Sequence, residues 1–433
     1  MQQIRNDNQE KGAGKQAESS PAMPRRFSND HASIEAFPGA PQPTLHTPKT
    51  ALVTNNELHD DDIGYPEGGH QAWMVVIGAW CAMIPPMGIL NTISVLQGWL
   101  LQNELKGVNT QHQPPTNNTM VRIRTNLTPT YPEFYQMLLS FGVCGGISAA
   151  FLFNPALSAI GHWFCERRAF ATGVACTAGG LGGIGFSLII QYLAPRIGFP
   201  WAIRIIAFIS TGSLIVTNIF LRKRLPPKRK AKALIDFRLL RDLKFGVTVV
   251  AVFFVEFTVF IPYSYISSYA IEKGLGLQKS FLLNVLLNAG AIPGRMLPGY
   301  IADRVGAFNT MCVTSLCCGV LILGLWLAAG DVDAKIMSFT TLFGFWSGAA
   351  ISLSPVCISR VCKIEDYGKS TGMAYFIASF GALVGIPLAG FLLETGTEPY
   401  RNLIIFAGAA YMVAFVAFCG ARGIAGGWKP ALF

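Results

Sequence analysis

A single arginine stands inside an otherwise lipid-soluble run. Arg295 lies in the apolar stretch 280–302, and an ionisable group at membrane depth is costly enough that it normally faces a cavity and has a partner. At helical spacing Asn284, Asn288, Ala291 and Arg295 fall on one stripe, since residues three and four apart share a face. Polar side chains on one face suggest a water-lined wall. A guanidinium there offers a fork of donors suited to an organic anion, or it closes a structural ion pair between helices. Glu256 sits equally deep, in FFVEFTVFIPY, and shares a face with Phe260 and Tyr263. It either pairs with Arg295, carries a proton, or braces two helices.

These groups need elements to hold them, and composition says which. The chain has 433 residues, 51% of them apolar and only 13% charged. A soluble protein of that length carries about twice as much charge, so lipid must cover much of the surface. Ten apolar runs are long enough to cross a bilayer core: 72–101, 134–160, 169–195, 201–221, 245–270, 280–302, 309–329, 336–360, 370–393 and 402–420. The lipid core leaves no partner for unpaired backbone groups, so these runs are helices rather than open sheet. The fold class expected is an all-α polytopic membrane protein.

The net charge of +10 does not indicate nucleic acid. Ten of the 34 basic residues are packed between Arg222 and Lys244, as expected of a cytoplasmic loop under the positive-inside rule and of a segment that meets anionic lipid. Residues 1–65 are rich in Gln, Asn, Ser, Pro and charge; they read as a disordered cytoplasmic tail, with no cleavable signal sequence after Met1. With the N-terminus inside, the loops bearing Arg167 and Arg168, the 222–244 stretch, Asp303 and Arg304, and the tail 422–433 all face the cytoplasm. The interval 102–133 is then an extracellular polar loop with glycosylation sequons at Asn117 and Asn126. The basic loop divides the spans into four (66–221) and six (245–421).

No metal or cofactor chemistry is legible. The ten cysteines lie in or beside apolar runs and form no CxxC pair or His/Cys cluster, so small apolar packing is their role. Gly180-Leu181-Gly182-Gly183-Ile184-Gly185 matches GxGxxG in letters only, because no strand precedes it. Glycines four apart, such as Gly179 and Gly183, instead let helices approach closely. There is no HExxH, no GxSxG and no intramembrane histidine, so the chain is not expected to be an enzyme.

Three short motifs occur in order. Pro66-Glu67-Gly68-Gly69-His70-Gln71-Ala72-Trp73 resembles the PDGG-x-x-W start of the first helix in monocarboxylate transporters. His162-Trp163-Phe164-Cys165-Glu166-Arg167-Arg168-Ala169 is similar to their WF-x-x-RR-x-x-A loop between the fourth and fifth helices. Gly299-Tyr300-Ile301-Ala302-Asp303-Arg304-Val305-Gly306 resembles the G-x-x-x-D-R-x-G signature of the major facilitator superfamily. Together they resemble the monocarboxylate-permease-like branch, particularly its fungal members, over residues 64–106 and 133–420.

That resemblance implies a major facilitator bundle of about ten helices. The family's second and third helices are replaced by 102–133, and a mis-assembled gene model is the simpler explanation of their absence. It implies substrate contact by Arg295 and a gating role for Gly299, Asp303, Arg304 and Gly306; Arg167 and Arg168 either gate in the first half or follow the charge rule. Two positions depart from the family's animal members: Asn91 stands where they have a lysine, and Ala291 where they have an aspartate. A small monocarboxylate moved with a proton is thereby disfavoured against a larger, less charged organic solute such as a secondary metabolite. The candidate substrate-binding residues are Arg295, Glu256, Asn288, Asn284, Asn91 and Tyr263. The function expected is secondary transport by alternating access, in a monomer of the plasma or vacuolar membrane; the competing reading is a non-transporting sensor or a defective carrier.

Overall fold

A computed structural model describes residues 65, 67–103, 142–222, 224, 237–395 and 398–426. The long tail 1–64, almost all of the 102–133 interval with Asn117 and Asn126, and most of the basic loop lie outside the described residues.

Among the described residues, ten long helices form where the apolar runs are. They are α1 (Gly69–Asn103), α2 (Gly145–Trp163), α3 (Arg168–Leu188), α4 (Phe199–Phe220), α5 (Leu243–Glu272), α6 (Leu277–Val305), α7 (Ala307–Val320), α8 (Asp333–Arg360), α9 (Tyr367–Thr395) and α10 (Pro399–Gly426). Helix α3 continues through a wide-turned segment, Ile189–Leu193, to Ile197, and α7 continues likewise through Leu321–Trp326. Among the described residues there is no strand. Most helices outrun their apolar cores by two to six residues at an end, because polar terminal turns still form helix once they reach the membrane surface. The last helix accordingly runs beyond 421 to Gly426, and α5 starts at Leu243, capped by Asp242, whose carboxylate accepts from the Lys244 amide at 3.1 Å.

Among the described residues, nine of these ten helices are long and apolar enough to cross a membrane. The exception is α6, the helix of Arg295, whose polar stripe lowers its mean hydropathy. It survives as a long helix because other helices wrap it. It is packed between α3 on one side and α8 on the other. The approach is backbone to backbone: a Cβ placed on Gly348 of α8 would come within 2.9 Å of the Ala291 carbonyl oxygen, and one on Gly180 of α3 within 3.0 Å of the Asn288 carbonyl oxygen. Small residues of this kind are how membrane helices gain dispersion contact where no hydrophobic drive exists between them.

Around this central trio, α1 packs on α3, α2 and α4, while α5 packs on α9 and α10, and α10 on α7. Pro85, Pro86, Pro155, Pro262, Pro293, Pro298, Pro355 and Pro387 lie inside these helices, as membrane helices tolerate when neighbours satisfy the freed carbonyls. Outward-facing positions are apolar, with Phe151 75% and Phe208 68% exposed, the inverse of a water-soluble surface.

Candidate functional site

The α3–α6 seam holds a buried polar chain. Arg295 is 1% exposed; its Nη1 donates to the Cys176 carbonyl oxygen at 2.6 Å, and its Nε has no partner. One turn of glycines makes the room: a Cβ on Gly179 would strike Arg295 Nη1 and meet Met87 of α1 at 2.7 Å. Ser352 of α8 donates to the Arg295 carbonyl at 3.4 Å. Tyr263 stands beside the same guanidinium, with its hydroxyl 3.4 Å from Ser347 Oγ.

The asparagines continue the line. Asn288 Nδ2 donates to the Asn284 carbonyl at 2.9 Å. Asn284 Nδ2 donates to Ser187 Oγ at 3.0 Å and to the Asn91 carbonyl at 3.1 Å. Asn91 Nδ2 donates to the Gly179 carbonyl at 3.0 Å. These two sets of bonds, one at Arg295 and one along the asparagines, draw on α1, α3, α6 and α8. Both asparagine Oδ1 atoms on α6 remain unpartnered. A buried polar atom without a hydrogen bond costs about 1–3 kcal/mol, so the spare donor at Arg295 and the spare acceptors at Asn284 and Asn288 mark this stripe as the candidate site.

Glu256 is buried on α5 but apart from this chain. Among the described residues no ion pair joins it to Arg295, so the pairing expected as one alternative is not formed here. Its charge is felt instead at Tyr375 of α9 and Tyr411 of α10, and the Tyr375 hydroxyl is buried without a partner. Ala291 faces Gly348, whose added Cβ would lie 3.1 Å from the Ala291 Cβ. A carboxylate at 291 would have no room in this seam.

The motif residues meet at the other end of α3. Asp303 Oδ1 accepts from the Ala169 amide and Oδ2 from the Phe170 amide, each at 2.9 Å. Glu67 Oε1 accepts from the Cys165 and Glu166 amides at 2.7 and 2.9 Å, and Oε2 from the Arg167 amide at 3.3 Å. Two carboxylates therefore satisfy the amides that a helix start leaves without intrahelical partners, where the helix dipole also favours negative charge. Gly299 permits the contact, since a Cβ there would lie 2.6 Å from the Ala169 carbonyl. Gly306, at φ 104°, turns the chain from α6 into α7 in a conformation that a side chain resists. Trp73, Phe164, Phe170 and Tyr300 stack edge to face across the same corner, centroids 5.6–6.1 Å apart.

The arginines of the corner differ. Arg168 is buried and donates to the Phe164 carbonyl at 2.8 Å and the Gly161 carbonyl at 3.4 Å, which finishes α2. Arg167 is exposed. Arg304 is exposed and lies over the Tyr300 ring at 4.4 Å. Arg360 of α8 is the cation close enough to act on Asp303. Sequence reasoning missed Glu67 and Ser187 as working residues. The signal for Glu67 was present, an acid just ahead of a loop that must start a helix, but its target lay about 100 positions away.

Comparison with known proteins agrees with this architecture. The family description Major Facilitator Superfamily matches residues 125–340. The MFS-type transporter opdF of Penicillium oxalicum is 30% identical over 417 residues, covering 89% of this chain and 96% of its own. A riboflavin transporter of Saccharomyces cerevisiae is 26% identical, covering 94% and 88%, and an aspyridones efflux protein of Emericella nidulans is 28% identical, covering 83% and 79%. The crystal structure of the human organic anion transporter MFSD10 superposes with a TM-score of 0.54 at 13% identity, over 80% of this chain and 82% of that one, which is a likeness of fold.

Proposed function

We infer the solute and the working parts from one premise: this chain belongs to the Major Facilitator Superfamily and is a secondary transporter of small organic solutes, not an enzyme. The solute we propose is a mid-sized, weakly charged metabolite with both hydrogen-bond donors and acceptors. The observation that carries this is the α6 stripe, where one unpartnered donor at Arg295 stands in line with unpartnered acceptors at Asn284 and Asn288. An ionised carboxylate is acceptor-only and would leave the asparagine acceptors unused. Asn91 and Ala291 add no charge, and two relatives are named for riboflavin and for aspyridones, solutes larger than a simple acid.

In this reading the four helices α1–α4 (66–221) and the six helices α5–α10 (245–421) rock about the α3–α6 seam, with the solute held near the bilayer midplane. Arg295, Asn284, Asn288, Asn91 and Tyr263 form its binding wall. Glu256, buried on α5, is the candidate proton carrier. Asp303 and Glu67, seated on the start of α3, form a cytoplasmic latch that closes one side. Gly299 and Gly306 make that latch possible, Arg168 fixes its frame, and Arg167 and Arg304 supply cytoplasmic charge. The protein works as a monomer in the plasma membrane.

The test is transport by purified protein in proteoliposomes against a panel of flavins, polyketide metabolites and monocarboxylates, with and without a proton gradient. Uptake of a larger metabolite that is lost in Arg295→Ala, with membrane insertion unchanged, supports the reading. Uptake of lactate alone overturns the solute class. A second reading, a non-transporting sensor or defective carrier, is favoured by the four long helices described before the basic loop against six after it. It wins if no solute moves here while a chain with a helix pair restored at 102–133 transports.

A further inference from the structure

We propose that Cys312 and Cys419 form a reversible thiol–disulfide pair joining α7 to α10, a modification site separate from the solute path. The two helices are antiparallel and packed side by side. Two contacts fix their register. Arg422 Nε on α10 donates to Asn309 Oδ1 on α7. Farther along, a Cβ on Gly319 of α7 would lie 2.9 Å from Met412 Sδ of α10. Advancing three residues from Asn309 while retreating three from Arg422 places Cys312 opposite Cys419. Seven more steps each way arrive at Gly319 and Met412, so all three pairs lie on one line of contact. The two thiol groups are immediate neighbours, and neither is in a disulfide.

Other chemistry fits less well. Cys357 of α8 is near Cys312, but among the described residues no group of three His, Cys, Asp or Glu side chains could hold a metal ion. Two thiols without a third ligand favour the cross-link. Their exposures set the order of events. Cys312 is 8% exposed, whereas Cys419 is partly open, so an oxidant reaches Cys419 first.

The oxidant named is a hydroperoxide, which supplies both oxidising equivalents. The Cys419 thiol is oxidised to a sulfenic acid as the peroxide O–O bond breaks and an alcohol leaves. The Cys312 sulfur then attacks the Cys419 sulfur, forming the S–S bond, and the sulfenic oxygen departs as water with the Cys312 proton. Neither helix makes a major contact with α1–α4, so the staple forms inside one set of helices and leaves the α3–α6 seam free.

The test uses the full chain in its membrane, treated with tert-butyl hydroperoxide, alkylated and analysed by mass spectrometry. The expected product is a linked Cys312–Cys419 peptide in most of the chain, reversed by dithiothreitol. In Cys312→Ser, dimedone should trap a sulfenic acid on Cys419; in Cys419→Ser no link should form. The oxidised wild type should unfold at a higher temperature than the reduced form, as loop closure predicts. Recovery of both thiols separately alkylated, under treatment that oxidises the exposed Cys144, overturns the proposal without relying on any variant, and so does a link from Cys419 to another cysteine.

Discussion

Asp303 and Ala169 are 134 positions apart in sequence, yet the carboxylate of one accepts the backbone amide of the other at 2.9 Å. Because the same carboxylate also takes Phe170, it caps α3 from a different helix, and the α6 end cannot leave without stripping two amides of their acceptor. Hydrogen bonds to a charged group contribute about 1.5–3 kcal/mol each when buried. Asp303→Ala should therefore weaken the α3–α6 contact, and a shift of about 1.4 kcal/mol changes the separated population roughly tenfold. The measurement is the alkylation rate of Cys165, which sits in the same corner under Glu67. It should rise in Asp303→Ala and rise less in Asp303→Asn, which keeps one acceptor; equal rates in all three forms would remove the latch.

Glycines along α3 give a comparison with a built-in control. A Cβ on Gly183 would lie 2.5 Å from Asn288 Oδ1 and 2.9 Å from the Asn91 Cβ, whereas at Gly185 nothing lies within 4 Å. Overpacking a close interface costs about 1–3 kcal/mol. Gly183→Ala should lower the unfolding temperature in detergent and reduce transport, while Gly185→Ala, which only removes backbone freedom, should be neutral or slightly stabilising. Matching effects from the two would mean that the α3–α6 approach is looser than described.

Much of this architecture was legible in the sequence because a bilayer simplifies the physics. Apolar length alone locates a spanning helix, and among the described residues each of the ten runs holds a long helix. The stripe of Asn284, Asn288 and Arg295 was legible for the same reason, since helical spacing is fixed. What sequence could not supply was which faces meet. Nothing local to Glu67 says that it caps the α3 start, and the expected choice between pairing Glu256 with Arg295 and leaving it apart depends on how α5 and α6 are rotated. Arg167 and Arg168 looked equivalent as neighbours; helix phase sends one outward and buries the other. Cys312 and Cys419 read as packing residues because their opposition depends on the register of two helices about 100 positions apart.

The asparagine stripe predicts a specific kinetic signature. Asn288 Oδ1 makes no hydrogen bond within the protein, so truncating it loses little internal bonding beyond the Asn284 carbonyl contact. If the proposed solute donates to it, Asn288→Ala should raise KM about tenfold, the equivalent of about 1.4 kcal/mol, with a smaller change in maximal rate. Asn284→Ala should damage both, because its Nδ2 also ties α6 to Ser187 and to the Asn91 carbonyl. Uptake curves over solute concentration would tell these apart, and an unchanged KM in Asn288→Ala would take the stripe out of the binding wall.

Glu256 offers the cleanest separation of a coupling role from a structural one. It is buried, it forms no ion pair with Arg295 among the described residues, and its charge is felt at Tyr375 of α9 and Tyr411 of α10. A carboxyl with no fixed countercharge is free to gain and lose a proton as the site turns between the two sides of a membrane, whereas a brace needs a permanent partner. Glu256→Gln preserves shape and hydrogen-bonding capacity but cannot release a proton. The variant should insert normally, bind solute with similar affinity, and lose the dependence of uptake on external pH together with accumulation driven by a proton gradient. Solute exchange at equal concentrations, which needs no net proton movement, should persist. A variant with the wild-type pH profile would make Glu256 a brace, and a variant that fails to exchange as well would place it in the binding wall.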